Sequence, residues 1–149
     1  FPSLARQLRA LTEDVSYQIS NLSNAAALLW QALPEINWVG FYKLLDGKLV
    51  LSPFQGKPAC IEIPMGKSVC GTAAQRGKTV RVDNVHEFPG HIACDSASNS
   101  EIVLPIFSGA SLWGVLDIDS PVPNRFTEED EQGLTEIIAV LNEMISRTE

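Results

Sequence analysis

Apolar residues recur every three or four positions near the start of the chain. Leu4, Leu8, Leu11, Val15, Ile19 and Leu22 fall on one stripe, which Leu29 and Leu33 extend. This period predicts helix over residues 3–33. Pro34 stops it, because proline cannot continue the helical hydrogen-bond ladder. Thr12 to Asp14 marks a break between two helices. The stripe is narrow for so long a segment. It suits packing on a sheet, and part of it is open to pairing with a second subunit, so a homodimer is expected.

At Asn37 the period changes to two, which predicts a strand to Leu45. Asp46-Gly47 has the composition of a type I′ turn, and Lys48 to Phe54 reads as the returning strand. Trp38, Gly40 and Tyr42 then share one face, opposite Val39, Phe41 and Lys43. Two aromatics with a glycine between them outline a flat slot, although core packing explains Trp38 about as well. Ala59 to Ile63 reads as a short strand. Ser68 suits the cap of a short helix through Gln75 that Gly77 ends, with Cys70 in its first turn. Helix amides at that position lower a thiol pKa. Thr79 to Val82 reads as another strand.

Residues 83–100 have no period, and a stretch this long without structure is usually functional or disordered. Glu101 to Phe107 and Ser111 to Asp119 read as adjacent strands, and Pro105 signals an edge, bulge or register break in the first. Thr127-Glu-Glu-Asp130 opens a final helix. Its buried stripe is Leu134, Ile137, Ile138, Leu141, Met144 and Ile145. The element order predicts an α+β fold in one domain, residues 1–149. A central antiparallel sheet carries the N- and C-terminal helices on one face and a loop-covered pocket on the other.

Composition narrows the function. The chain has 149 residues, enough to bury about 68–70% of its unfolded surface. No run of about 18 apolar residues is present, so no membrane span is expected, and no charged-then-apolar leader is read at the start. A net charge of −7 argues against a surface that tracks nucleic-acid phosphates. It is compatible with a cationic group in a ligand. An odd cysteine count argues against a secreted disulfide scaffold, and a cytoplasmic location is expected.

The cysteines are Cys60, Cys70 and Cys94, ten and then twenty-four positions apart. No close C-x-x-C pair exists, so no metal site is expected even with His86 and His91 counted. Free cysteines are often small buried apolar residues. Cys94, however, lies in the aperiodic stretch, where a thiol nucleophile with a second thiol in reach can turn over by disulfide formation. Neither histidine has the surroundings of a nucleophile–base pair that sequence can establish. Val115, Asp117 and Asp119 share one strand face, and Glu101 opens the neighbouring strand. Such acids can simply be solvated. Yet like charges on one face repel unless a cation or a proton intervenes, and Trp113 and Val115 beside them are apolar.

Several segments carry a resemblance. They are Asn37-Trp-Val-Gly-Phe-Tyr42, Gly66-Lys-Ser-Val-Cys-Gly-Thr72, His91-Ile-Ala-Cys-Asp95, Asn99-Ser-Glu-Ile102 and Leu116-Asp-Ile-Asp-Ser120. Together they resemble the free methionine-(R)-sulfoxide reductases, which are built on a GAF domain. The resemblance implies that Cys94 attacks the sulfoxide sulfur and becomes a sulfenic acid. It implies Cys60 as the principal resolving thiol, with thioredoxin reducing the disulfide, and Cys70 as an accessory thiol. Trp38 and Tyr42 would receive the apolar end of the substrate. Glu101, Asp117 and Asp119 would grip its ammonium and protonate its oxygen, in a division the sequence leaves open. No cofactor is implied. A non-catalytic GAF module that senses a small ligand or redox state is the competing reading. The three-cysteine pattern has no part in simple binding.

Overall fold

The computed structural model describes residues 1–90 and 98–149. The first apolar stripe becomes two helices, α1 (Pro2–Thr12) and α2 (Gln18–Ala32). Because the chain turns between them, the stripe does not stay in register. Leu4 and Leu8 of α1 and Leu22, Ala25, Ala26 and Leu29 of α2 are buried. Leu11 is exposed, and Ile19 is 73% exposed. The Arg147 guanidinium fixes the break, donating to the carbonyls of Thr12 (2.8 Å) and Val15 (3.0 Å).

The hairpin forms as its turn residues demand. β1 (Trp38–Leu45) and β2 (Lys48–Gly56) are joined by Asp46 and Gly47, with φ of 51° and 78°. β3 is Glu62–Pro64, starting later than the sequence suggests. The carbonyls of Lys57 and Cys60 are taken instead by the side chains of Trp38 and Tyr42, at 3.0 and 2.9 Å.

α3 spans Ser68–Arg76 and ends at a left-handed Gly77. Its start is not the side-chain cap expected of Ser68. That residue is the first of the helix, at φ 55°, and its amide donates to the Gly90 carbonyl at 3.1 Å. β4 is Val80–Val82, β5 Ser100–Ser108 and β6 Ser111–Ser120. β4 pairs β5 only at Glu101 to Val103. Pro105 thus lies where β5 has an open side and a missing N–H is tolerated, and the register shifts between Ile106 and Phe107. α4 (Glu128–Thr148) starts with a complete capping box between Thr127 and Asp130.

The six strands form one sheet in the order β3-β2-β1-β6-β5-β4, and every neighbouring pair is antiparallel. Strand alternation divides its side chains between two apolar layers. Val39, Phe41, Ile102, Leu104, Leu116 and Ile118 pack under α1, α2 and α4. Trp38, Tyr42, Leu49, Val103 and Val115 pack under α3 with Val69, Cys70, Ala73 and Ala74. This is the expected α+β arrangement, with the terminal helices on one face and α3 on the other. Among the described residues no helix is long and apolar enough to cross a membrane.

Candidate active site

Strand register builds the site. On the face beneath α3, Trp38, Gly40 and Tyr42 of β1 lie opposite Asp119, Asp117 and Val115 of β6. Those three lie in turn opposite Glu101, Val103 and Pro105 of β5. Glu101 is therefore directly across from Asp119 and diagonal to Asp117. α3 lowers Cys70 onto this patch from above. Its Sγ lies 3.9 Å from Glu101 Oε2. One ligand atom from each of Cys70, Glu101 and Asp117 lies within 4.8 Å of the others, a spacing that lets the three contact one cation.

These are not solvated acids. Asp117 is 6% exposed and Glu101 7%, while Asp119 is half-buried. Burial first, then the charges of Asp117 and Asp119, pushes the Glu101 carboxyl well above the ordinary carboxylate range. Burial also raises Asp117, but hydrogen bonds from Glu101 and Cys70 partly offset this. Burial thus pushes both carboxyls toward the protonated form, and hydrogen bonding opposes it at Asp117. Among the described residues neither forms an ion pair. Asp117 Oδ1 is buried without a hydrogen-bond partner there. A buried acceptor left unmet is costly, and a ligand cation that reached this atom would remove the cost.

The first-turn position of Cys70 does not lower its pKa. Burial, followed by Asp117, Glu101 and Asp119, pushes the thiol well up. Burial and Asp117 likewise raise the Tyr42 hydroxyl above its usual range. Cys60 is half-buried and disulfide-bonded, whereas Cys70 is a free thiol. Cys94 and His91 lie outside the described residues. The His86 ring Nε2 lies 3.0 Å from Asn99 Oδ1.

The aromatic wall differs from the slot expected at Gly40. Trp38 and Tyr42 are stacked with ring centroids 5.9 Å apart. Phe54 stacks on the other side of Trp38, at 5.2 Å and 16° between planes. A Cβ at Gly40 would collide with the Phe54 Cβ and lie 2.8 Å from the Trp38 ring. Gly40 therefore admits Phe54, and the space above it is filled. Sequence reasoning missed Phe54. Hairpin register counted from the Asp46-Gly47 turn puts Pro53 opposite Gly40, and only the register shift between Gly40 and Tyr42 brings Phe54 there.

Comparison with known proteins fits this geometry. Residues 3–144 match the GAF domain family. The chain is 57% identical to Protein YtsP of Bacillus subtilis over 97% of its length and 90% of that protein. It is 51% identical to the free methionine-R-sulfoxide reductase of Escherichia coli over all of its length and 90% of that protein. Among solved structures, fRMsr of Staphylococcus aureus in complex with substrate aligns with a TM-score of 0.92 at 48% identity. The alignment covers 97% of this chain and 94% of that one.

Proposed function

Because the chain belongs to the GAF domain family, on the branch of the free methionine-R-sulfoxide reductases, we propose that it reduces free L-methionine-(R)-sulfoxide to methionine. One observation carries the reading. A buried carboxyl pushed toward its protonated form and a buried carboxylate oxygen without a partner among the described residues lie together beside an aromatic stack and two cysteines. The substrate has matching parts, a sulfoxide oxygen that must be protonated, an ammonium and a methyl end.

In this reading the Cys94 thiolate attacks the sulfoxide sulfur while Glu101 protonates the oxygen. The S–O bond breaks, the oxygen passes to Cys94 as a sulfenic acid, and methionine leaves. The Cys60 thiol then displaces water, closing a Cys60–Cys94 disulfide. Thioredoxin's dithiol takes up that disulfide and returns both thiols. Cys70 is an accessory thiol. Asp117 and Asp119 grip the ammonium, and Trp38 and Tyr42 receive the methyl end. The acids alone disfavour a thiolate nearby, and the bound ammonium offsets them. The chain acts as one GAF domain over residues 1–149, as a homodimer in the cytoplasm, without metal or cofactor.

The test is turnover with thioredoxin on the separated R and S free sulfoxides, with an N-acetylated, C-amidated sulfoxide as control. Only the free R form should be consumed. The capped compound offers a neutral amide and leaves the acids unmet, which commonly costs orders of magnitude in discrimination. Comparable kcat/KM on it would refute the enclosed site. No turnover on any of the three would favour a sensing module.

A further inference from the structure

Glu101 and Asp117 share their place under α3 with a free thiol, and each of the three groups comes from a different element. Cys70 stands on α3, Glu101 on β5 and Asp117 on β6, and they are 2%, 7% and 6% exposed. One ligand atom of each lies within 4.8 Å of the others. The Cys70 Sγ and Glu101 Oε2 are 3.9 Å apart. A zinc ion at about 2.3 Å from sulfur and about 2.0 Å from oxygen, with tetrahedral angles, would set two such atoms about 3.5 Å apart. A small side-chain rotation closes that difference.

A second observation points to a cation. Asp117 Oδ1 is buried without a hydrogen-bond partner among the described residues. Among those residues no lysine, arginine or histidine pairs with Glu101 or Asp117. An unmet buried acceptor is costly, and a metal ion removes that cost as an ammonium does.

We propose that Cys70, Glu101 and Asp117 form an inhibitory zinc site, in which a Zn2+ ion takes the place of the substrate ammonium and blocks the reductase reaction. The blocking rests on the reductase reading above, whereas the binding stands without it. The donor set selects the metal. One thiolate and two carboxylates suit zinc, which accepts sulfur and oxygen together in four-coordination. Magnesium and calcium favour shells of about six or more oxygen ligands. Zinc expels the thiol proton to solvent, since a coordinating thiol is deprotonated outright. The ion occupies the acid that protonates the sulfoxide oxygen and an acid that grips the ammonium, so metal and substrate exclude one another. The site uses neither a histidine nor a cysteine pair. Strand register and α3 bring its ligands together across the sheet, so spacing along the chain carries no metal signal.

The probes are cobalt(II) and zinc(II) salts, added to protein whose Cys60 disulfide is closed, so that Cys70 is the thiol on offer. Cobalt should bind at one equivalent per chain, with a thiolate-to-cobalt charge-transfer band that zinc abolishes. Asp117→Asn and Glu101→Gln should each bind zinc at least roughly tenfold more weakly, since even outer-shell partners of a metal are worth about 10–100-fold in affinity. A wild type without the band would overturn the proposal. So would zinc affinities unchanged in both variants.

Single turnover by pre-reduced enzyme, freed of added thiols, reads the inhibition. With zinc at about ten times its Kd and little substrate, methionine release should slow about tenfold, and excess substrate should restore it. Cys70→Ser, compared with its own metal-free rate, should be far less sensitive. Equal sensitivity in that variant, or inhibition that substrate does not relieve, would put the zinc on other groups and overturn the proposal. If the wild type releases no methionine even without zinc, the reductase reading fails, and the cobalt titration alone decides the zinc site.

Discussion

Glu101→Gln should make the substrate-free protein more stable at pH 8 while impairing the reaction. The reasoning starts from a raised carboxyl pKa. In the folded state burial and two neighbouring acids push the Glu101 carboxyl well above its ordinary range. In the unfolded chain Glu101 ionises near its ordinary value of about 4.3. The native state therefore binds more protons across the interval between the two values. Stability that is fully present below about pH 4.3 is lost as pH rises through the folded value, at roughly 1.4 kcal/mol per pH unit for one proton. Above the folded value the loss is complete and constant.

Glutamine keeps the size and the donor but has nothing to ionise, so this part of the slope disappears. For a chain of this length 1 kcal/mol shifts Tm by about 2–4 °C. The difference in Tm between Glu101→Gln and wild type should then widen by roughly 3–6 °C for each pH unit crossed, up to the folded value. Thermal unfolding of both reduced proteins from pH 4.5 to 8.5, without substrate, measures it. Parallel Tm curves, or a variant less stable at pH 8, would refute the reasoning and mean that Glu101 is ionised in the native protein.

Other expectations follow from the same geometry. Asp117→Asn and Asp119→Asn should each lower kcat/KM for the free sulfoxide by roughly ten- to a hundredfold, since a hydrogen bond to a charged group is typically worth roughly 1.5–3 kcal/mol. Steady-state kinetics reads this, and near-wild-type values in both would reduce the acids to a structural cluster. Cys94→Ser should release no methionine even in a single turnover, whereas Cys60→Ser should release about one equivalent per site and then turn over slowly with thioredoxin. Quantified methionine separates these from a nucleophile at another cysteine. Gly40→Ala should destabilise the fold by roughly 1–3 kcal/mol through overpacking, because its Cβ would meet Phe54 and the Trp38 ring. Urea unfolding would show it, and an unchanged midpoint would mean that the aromatic stack is loose.

Much of the fold was legible because its signals are local. The period-two run from Asn37, the Asp46-Gly47 turn and the Thr127–Asp130 box each specify their own backbone, and all three form as read. Face assignment also survived, since alternation along a strand puts Trp38 with Tyr42 and Asp117 with Asp119 whatever lies around them. Local signals failed where a distant group took the hydrogen bond. The amide of Ser68 went to Gly90, and the carbonyls of residues 57 and 60 went to Trp38 and Tyr42. Each shifted an element start by a residue or more.

The sequence by itself determined the inventory: which residues can carry thiol chemistry, which carry negative charge, and which share a strand face. Only the tertiary structure decided their state. Register set Glu101 across from Asp119 and diagonal to Asp117, and α3 closed over them with Cys70. The physical reason lies in the range of the forces. Periodicity and turn chemistry act over a few residues, whereas desolvation and charge coupling depend on what the whole chain packs around a group. The same Glu101 on an open strand would be an ordinary solvated carboxylate. Burial beside two acids and a thiol pushes it toward the protonated form.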